Sequence, residues 1–194
     1  MEEKLLAIAD EVIALSASNE QIEVIAVHDQ ETDIRVYKGE LESFTASESQ
    51  GVGIRVVQDG RQGMAYAGSL DMEILKETLS EARDNATFGT FDEMLQIAEP
   101  DNVEPISLDL YNPALKEFAT EDKIALAKEL EEYIMKSDER IVGVESSEYV
   151  DSISASAIVT SSGIRRSSYD GGCYIAGSSL ASDGKDMQLS LIHI

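Results

Sequence analysis

Cysteine and histidine are nearly absent from this sequence, and tryptophan is absent altogether. One cysteine, Cys173, excludes an internal disulfide, and a lone thiol fits a reducing compartment. Two histidines, His28 and His193, leave too few soft ligands for an ordinary zinc site within the chain. Basic residues are also scarce: 15 Lys+Arg stand against 38 Asp+Glu, a net charge of −23. Phosphate binding needs a basic surface, so that balance excludes bare DNA or RNA as a direct ligand. It disfavours an anionic membrane surface for the same reason. No apolar run approaches the length of a membrane span, and the first residues, Met-Glu-Glu-Lys-Leu-Leu, lack the basic and apolar regions of a signal peptide. The expectation is a cytoplasmic protein whose acids keep it soluble or attract basic partners.

The 194 residues are enough for one domain or two small ones, and 43% hydrophobic residues can build a core. Leu5, Ile8, Ala9, Val12 and Ile13 recur at helical spacing, which predicts a helix over residues 2–16. Ile22, Val24, Ile25 and Val27 predict a strand, Ile34 to Tyr37 a second, and Leu41 to Thr45 a third after a turn at Lys38-Gly39-Glu40. Asp59-Gly60 suits a tight hairpin between two further strands. A second helix over 71–86 is capped by Ser69 or Asp71, with Ile74, Leu75, Thr78, Leu79, Ala82 and Ala86 on one face. Residues 89–119 hold all three prolines (Pro100, Pro105, Pro113) and read as an irregular connection. A third helix over 120–136 starts at a Thr120 cap and buries Ile124, Ala127, Leu130, Ile134 and Met135. Strands follow over 141–148, 152–160 and 164–176, with turns at Asp151 and at Ser161-Ser162-Gly163.

The fold class is α+β, with helices packed on mostly antiparallel sheets. The linear division is an N-terminal helix-sheet-helix unit over 1–88, the connection 89–119, and a second helix-plus-strands unit over 120–188. Residues 2–67 and 120–185 share an order of elements. An internal repeat and a coincidence between α+β units both account for it. Residues 189–194, Leu-Ser-Leu-Ile-His-Ile, read either as a final strand or as a truncated, non-native tail, and truncation is favoured.

No residue stands out as catalytic, cofactor-binding or metal-binding. His28 lies in an acidic stretch with Asp29, Glu31 and Asp33, a weak cation site or, better, a solvated turn. Cys173 has no histidine base nearby in sequence and reads as a small, half-buried strand residue. Gly51-x-Gly53 enters a strand and not a helix, so it offers no helix N-terminus to a pyrophosphate and marks a close backbone approach. Glu40, Glu42 and Glu48 could line a cleft, but a solvated face is the better reading; Arg165-Arg166 reads as a surface ion-pair site.

The run Glu40-Leu-Glu-Ser-Phe-Thr-Ala-Ser-Glu-Ser-Gln-Gly-Val-Gly-Ile-Arg-Val-Val-Gln-Asp-Gly-Arg-Gln-Gly-Met-Ala-Tyr-Ala67 resembles the N-terminal signature of the TldD/PmbA family, named for modulators of DNA gyrase and for a metalloprotease pair. Glu77 to Arg83 fits the same family. Leu108-Asp-Leu-Tyr-Asn-Pro113, the 120–136 helix and Ser137 to Ile141 resemble its PmbA (TldE) branch. The resemblance covers residues 1–188, and family members are considerably longer. It implies the N-terminal part of a metal-free subunit, inactive alone, of a metalloprotease complex that trims unfolded or extended peptides, including a peptide-antibiotic precursor and a labile antitoxin. The implied partner is a TldD-like subunit that carries zinc on an HExxxH-type motif. The implied substrate is an extended or unfolded peptide. No cofactor belongs to this chain on that reading. A non-enzymatic acidic module that binds a basic protein is the alternative.

Overall fold

The computed structural model describes residues 1–101, 103, 106 and 108–193. Pro105, Ile194 and the side chain of His193, all part of the sequence reading, lie outside the described residues. The chain is α+β, as its patterns predict. It runs α1 (Glu2–Ile13), β1 (Glu20–Tyr37), β2 (Glu40–Gln58), β3 (Arg61–Ala67), α2 (Met72–Phe88), α3 (Ala114–Glu117), α4 (Thr120–Ser137), β4 (Ile141–Thr160), β5 (Arg165–Ser182) and β6 (Met187–His193). The strands pair in the order β3-β2-β1-β4-β5-β6, with β2–β3 and β5–β6 antiparallel.

That order reads as two copies of one plan. A helix is followed by two long strands and a seven-residue edge strand: α1 with β1, β2 and β3, then α4 with β4, β5 and β6. Compact units do not follow the linear division, because the long strands pass through both. Unit 1 comprises Met1–Asp29, Glu48–Asp109 and Ser154–Asp170; unit 2 comprises Gln30–Ser47, Leu110–Ile153 and Gly171–Ile194.

In unit 1, α1 and α2 bury Leu5, Leu6, Val12, Leu75, Leu79 and Ala82 against Ile22, Val24, Ile54 and Val56 of the strands. Asp71 caps α2 by accepting from the Glu73 amide at 2.8 Å, as its position predicts. Ile74 is 43% exposed and lies outside the buried stripe. Asp59 and Gly60 both have positive φ, 50° and 68°, the geometry of a two-residue hairpin that matches strand twist. A Cβ on Gly63 would lie 2.2 Å from the Ala82 carbonyl oxygen, so only glycine lets α2 approach β3 so closely.

In unit 2, α4 packs Ala127 near Ile34, Val36 and Tyr149, and Leu130 and Ile134 near Val144. Thr120 does not cap this helix. The N-cap is Ala119, whose carbonyl accepts from Asp122 and Lys123, and no side-chain cap forms. Met135 is 42% exposed. The β1–β2 turn puts Lys38 and Gly39 at φ of 53° and 76°, and the buried Glu131 carboxylate accepts both their amides at 2.6 Å. A charge-assisted pair of bonds thus holds an otherwise disfavoured lysine conformation.

The strands are longer than the alternating segments alone indicate. Residues 28–33 continue β1 and Asp151 lies inside β4, where turns are expected. His28 pairs with Glu48, Asp29 with Ser154 and Asp151 with Lys123 and Tyr149, so the strands run on through these polar positions.

Candidate functional site

His28 is not in a solvated turn. It is buried inside β1, with Nε2 2.6 Å from Glu48 Oε1. Next to it, Ser154 Oγ donates to Asp29 Oδ1 at 2.5 Å. His28 and Asp29 of the acidic stretch therefore link strands within unit 1. Among the described residues, no three His, Cys, Asp or Glu side chains are placed to hold a metal ion. Among the described residues, His28 has the Glu48 carboxylate beside it and no imidazole or thiolate.

Cys173 is exposed on β5, not half-buried. Gly51 and Gly53 sit on β2 as close-approach positions. A Cβ would lie 3.1 Å from the Ala67 carbonyl oxygen at the first and 3.3 Å from the Tyr66 ring at the second. Arg165 Nε lies 3.1 Å from Asp10 Oδ2, the expected surface ion pair.

The polar cluster that the sequence reading missed lies in unit 2. Lys123 of α4 forms a buried ion pair with Asp151 of β4. The Tyr149 hydroxyl donates to Asp151 Oδ2 at 2.8 Å, and the Lys123 ammonium lies 5.6 Å from the Tyr149 ring centroid. Phe118 closes the group, its ring 5.9 Å from that of Tyr149. Burial, and then the Asp151 carboxylate, push the Tyr149 hydroxyl well above the usual phenol range. It stays a neutral donor at all physiological pH values. The arrangement ties α4 to β4. The signal available in sequence was weak: Lys123 sits one residue before Ile124, within the predicted buried stripe.

A second feature of unit 2 is accessible. Strand β3 pairs only with residues Val52–Gln58 of β2. Residues Glu40–Ser47 are exposed throughout and form an edge of the unit, with β1 on one side only. Leu41 and Phe44 are 43% and 46% exposed on it. Glu42 Oε2 lies 2.7 Å from Arg35 Nε, and Glu40 and Glu42 form a solvated acidic face. Residues Glu40–Ser47 contain no proline or lysine, so the side that β3 leaves open can pair with an added strand.

Comparison with known proteins gives a consistent result. The family profile described as "PmbA/TldA metallopeptidase domain 1" matches residues 22–86, and that described as "PmbA/TldA metallopeptidase central domain" matches residues 113–190. No curated protein sequence matches significantly. Among solved structures, the chain is similar to a protein of Thermotoga maritima described as a modulator of a DNA gyrase. The TM-score is 0.79 at 20% identity, over 96% of this chain and 42% of that one. It is similar to a protein of Bacteroides thetaiotaomicron with the same description, with a TM-score of 0.78 at 17% identity over 98% and 44%. It is also similar to TldE from Thermococcus kodakarensis, with a TM-score of 0.77 at 16% identity over 98% and 42%. At these identities the likeness shows the fold. The chain spans less than half the length of each.

Proposed function

The chain belongs to the PmbA/TldD metallopeptidase family, and we propose that it forms the first and central domains of a metal-free, TldE-type subunit of a peptide-processing metalloprotease complex. The observation that carries this reading is the tandem match of both family profiles, in order, over residues 22–86 and 113–190. On this reading hydrolytic chemistry comes from a zinc-bearing, TldD-type partner, and this chain contributes binding surface. The Glu40–Ser47 edge suits an extended peptide, held by backbone hydrogen bonds in the manner of an added strand. The charge of −23 favours basic peptides or a basic partner surface. Among the described residues no helix is long and apolar enough to cross a membrane, and a cytoplasmic location fits the lone thiol.

The test is hydrolysis of an unfolded basic peptide by the full chain, by a TldD-type zinc subunit and by their mixture. The expected result is activity in the mixture exceeding that of either alone. Equal rates with and without the chain overturn the reading. Charge reversal of Glu40, Glu42 and Glu48 should weaken the complex or the cleavage, and its failure to do so removes the electrostatic part.

A second reading has one observation in its favour, the acidic balance of this chain; two similar structures are described as modulators of DNA gyrase. On this second reading the chain binds a basic protein without proteolysis. Salt-sensitive binding to such a protein, with no effect on peptide hydrolysis, would favour this alternative.

A further inference from the structure

In unit 2 each of the outer long strands runs beyond its short edge strand. On β5 the uncovered stretch lies before Ala176, where pairing with β6 begins. There the Gly171 amide donates to the Leu110 carbonyl at 3.0 Å, so the chain's own connecting segment meets the strand. On β2 the uncovered stretch is Glu40–Ser47, for β3 pairs only from Val52 onward. Every residue in it is exposed, and among the described residues no backbone group outside the strands bonds to it.

The β1–β2 turn fixes which backbone groups of this stretch face outward. Lys38 and Gly39 both have positive φ, the form of a two-residue turn, so Tyr37 stands opposite Glu40 and Arg35 opposite Glu42. The contact of Arg35 Nε with Glu42 Oε2 at 2.7 Å agrees with that count. Bonded and non-bonded pairs alternate along an antiparallel hairpin, beginning with the bonded pair beside the turn. Glu40 and Glu42 therefore bond to β1, while Leu41 and Ser43 turn their amides and carbonyls away from it. Those outward groups are the ladder that an added strand meets.

Side chains alternate along the strand, so Glu40 and Glu42 share a face with Tyr37 and Arg35. Arg35 is held between two carboxylates, for Glu148 Oε1 lies 3.9 Å from its Nη1. Lys38 lies over the Tyr37 ring, 5.0 Å from its centroid. Glu40 has no ion-pair partner among the described residues. Glu40, Glu42 and Glu148 thus outnumber Arg35 and Lys38, and Glu40–Ser47 itself carries no Lys or Arg.

We propose that Glu40–Ser47 binds an extended peptide from a separate chain as an added strand, through the backbone of Leu41 and Ser43. It selects segments with Lys or Arg beside Glu40 and without proline at the positions that face β2. This rests on the peptide-binding role proposed above and adds its register and selectivity. A second copy is a poor occupant: each copy has a net charge of −23, and the same edge would bring further carboxylates and no base.

The probe is a blocked heptapeptide of alternating lysine and valine, added to the full chain without a zinc subunit and followed by residue-resolved hydrogen exchange. Bound peptide should slow exchange of the Leu41 and Ser43 amides and leave Glu40 and Glu42, already bonded to β1, as they were. Glutamate in place of the peptide's lysines should weaken binding about tenfold. Proline at two adjacent central positions of the peptide should abolish it, since one of the two always faces the strand. Ser43→Pro removes an outward amide and should weaken binding about tenfold or more, with β1 amides still protected. Glu40→Lys should weaken it roughly threefold to fivefold and flatten its salt dependence. Absence of binding, slowing at Glu40 and Glu42 but not at Leu41 and Ser43, full binding of the proline peptide, or unchanged affinity in Ser43→Pro overturns the inference. Concentration-dependent slowing at Leu41 and Ser43 without peptide assigns the edge to a second copy and overturns it as well. Hydrolysis stimulated in the two-subunit mixture, with no peptide bound at this edge, keeps the proposed role and overturns only this inference.

Discussion

In unit 1 the buried residues of α1, α2 and the strands join in one apolar cluster, from Leu5 and Val12 through Ile22 and Ile54 to Leu79 and Ala157. In unit 2 the apolar contacts fall into two smaller groups, around Tyr149 and around Leu130, and charged or polar side chains are buried alongside them. Lys123, Glu131, Asp151 and Ser147 all lie below one-tenth exposure there, each with a partner. The two halves of the chain repeat one order of helix and strands, but the two compact units differ in what holds them. Apolar volume specifies the first, because dense packing leaves little tolerance for lost methylenes. Specific polar pairings specify much of the second, where an unpaired charge costs more than a lost contact. The helices differ too: unit 1 holds α1 and α2, unit 2 one long helix and the four-residue α3.

The contrast predicts different weak points. The largest effect should come from Asp151→Ala in unit 2. It leaves the Lys123 ammonium buried without its counter-charge and the Tyr149 hydroxyl without its acceptor, at a cost of about 3–5 kcal/mol in urea unfolding. Replacing the pair together, Lys123→Met with Asp151→Leu, should recover most of that loss; if the double variant is as unstable as the single one, charge is not the cause. Leu79→Ala in unit 1 should cost roughly 2–5 kcal/mol by opening a cavity in the apolar cluster. The same kind of truncation at the exposed Val142 of unit 2 should stay within about 0.5 kcal/mol.

A smaller effect should come from Glu20→Gln. Its carboxylate accepts from Arg83 Nε at 3.0 Å and Nη2 at 2.6 Å, and that guanidinium holds it below the usual carboxylate range. Loss of the charge should cost about 1–3 kcal/mol at neutral pH. A depressed acid contributes stability that is present above its unfolded value and lost as pH falls through its folded value. The gap in melting temperature between wild type and Glu20→Gln should therefore close on acidification below the ordinary carboxylate range. A gap that stays constant to acid would remove the ion pair as its source. An effect of about 1 kcal/mol is expected from Asp71→Ala at the α2 cap, read by thermal melts.

Much of this architecture is legible in the apolar periodicity. The stripes of α1, α2 and α4, the Asp59-Gly60 hairpin and the Ser161–Gly163 turn all follow from local patterns that packing then keeps. Polar residues inside the sheet are what local patterns miss. Residues 28–33 and Asp151 read as breaks because their partners, Glu48, Ser154 and Lys123, are distant in sequence. The same holds for Glu131, whose burial depends on a hairpin 92 residues away. The open edge at Glu40–Ser47 is also illegible locally, since exposure depends on which strands lie alongside. The equivalence of the two halves shows in the sequence as an order of elements.

The most direct test of the account is the simplest assay. The purified chain is incubated with an unfolded basic peptide, alone, with added zinc and with a chelator, and peptide bonds cut are counted. The account predicts no cleavage in any of the three, and cleavage on addition of a zinc-bearing partner of the same family. Hydrolysis by the chain by itself, undiminished by chelation, would contradict it.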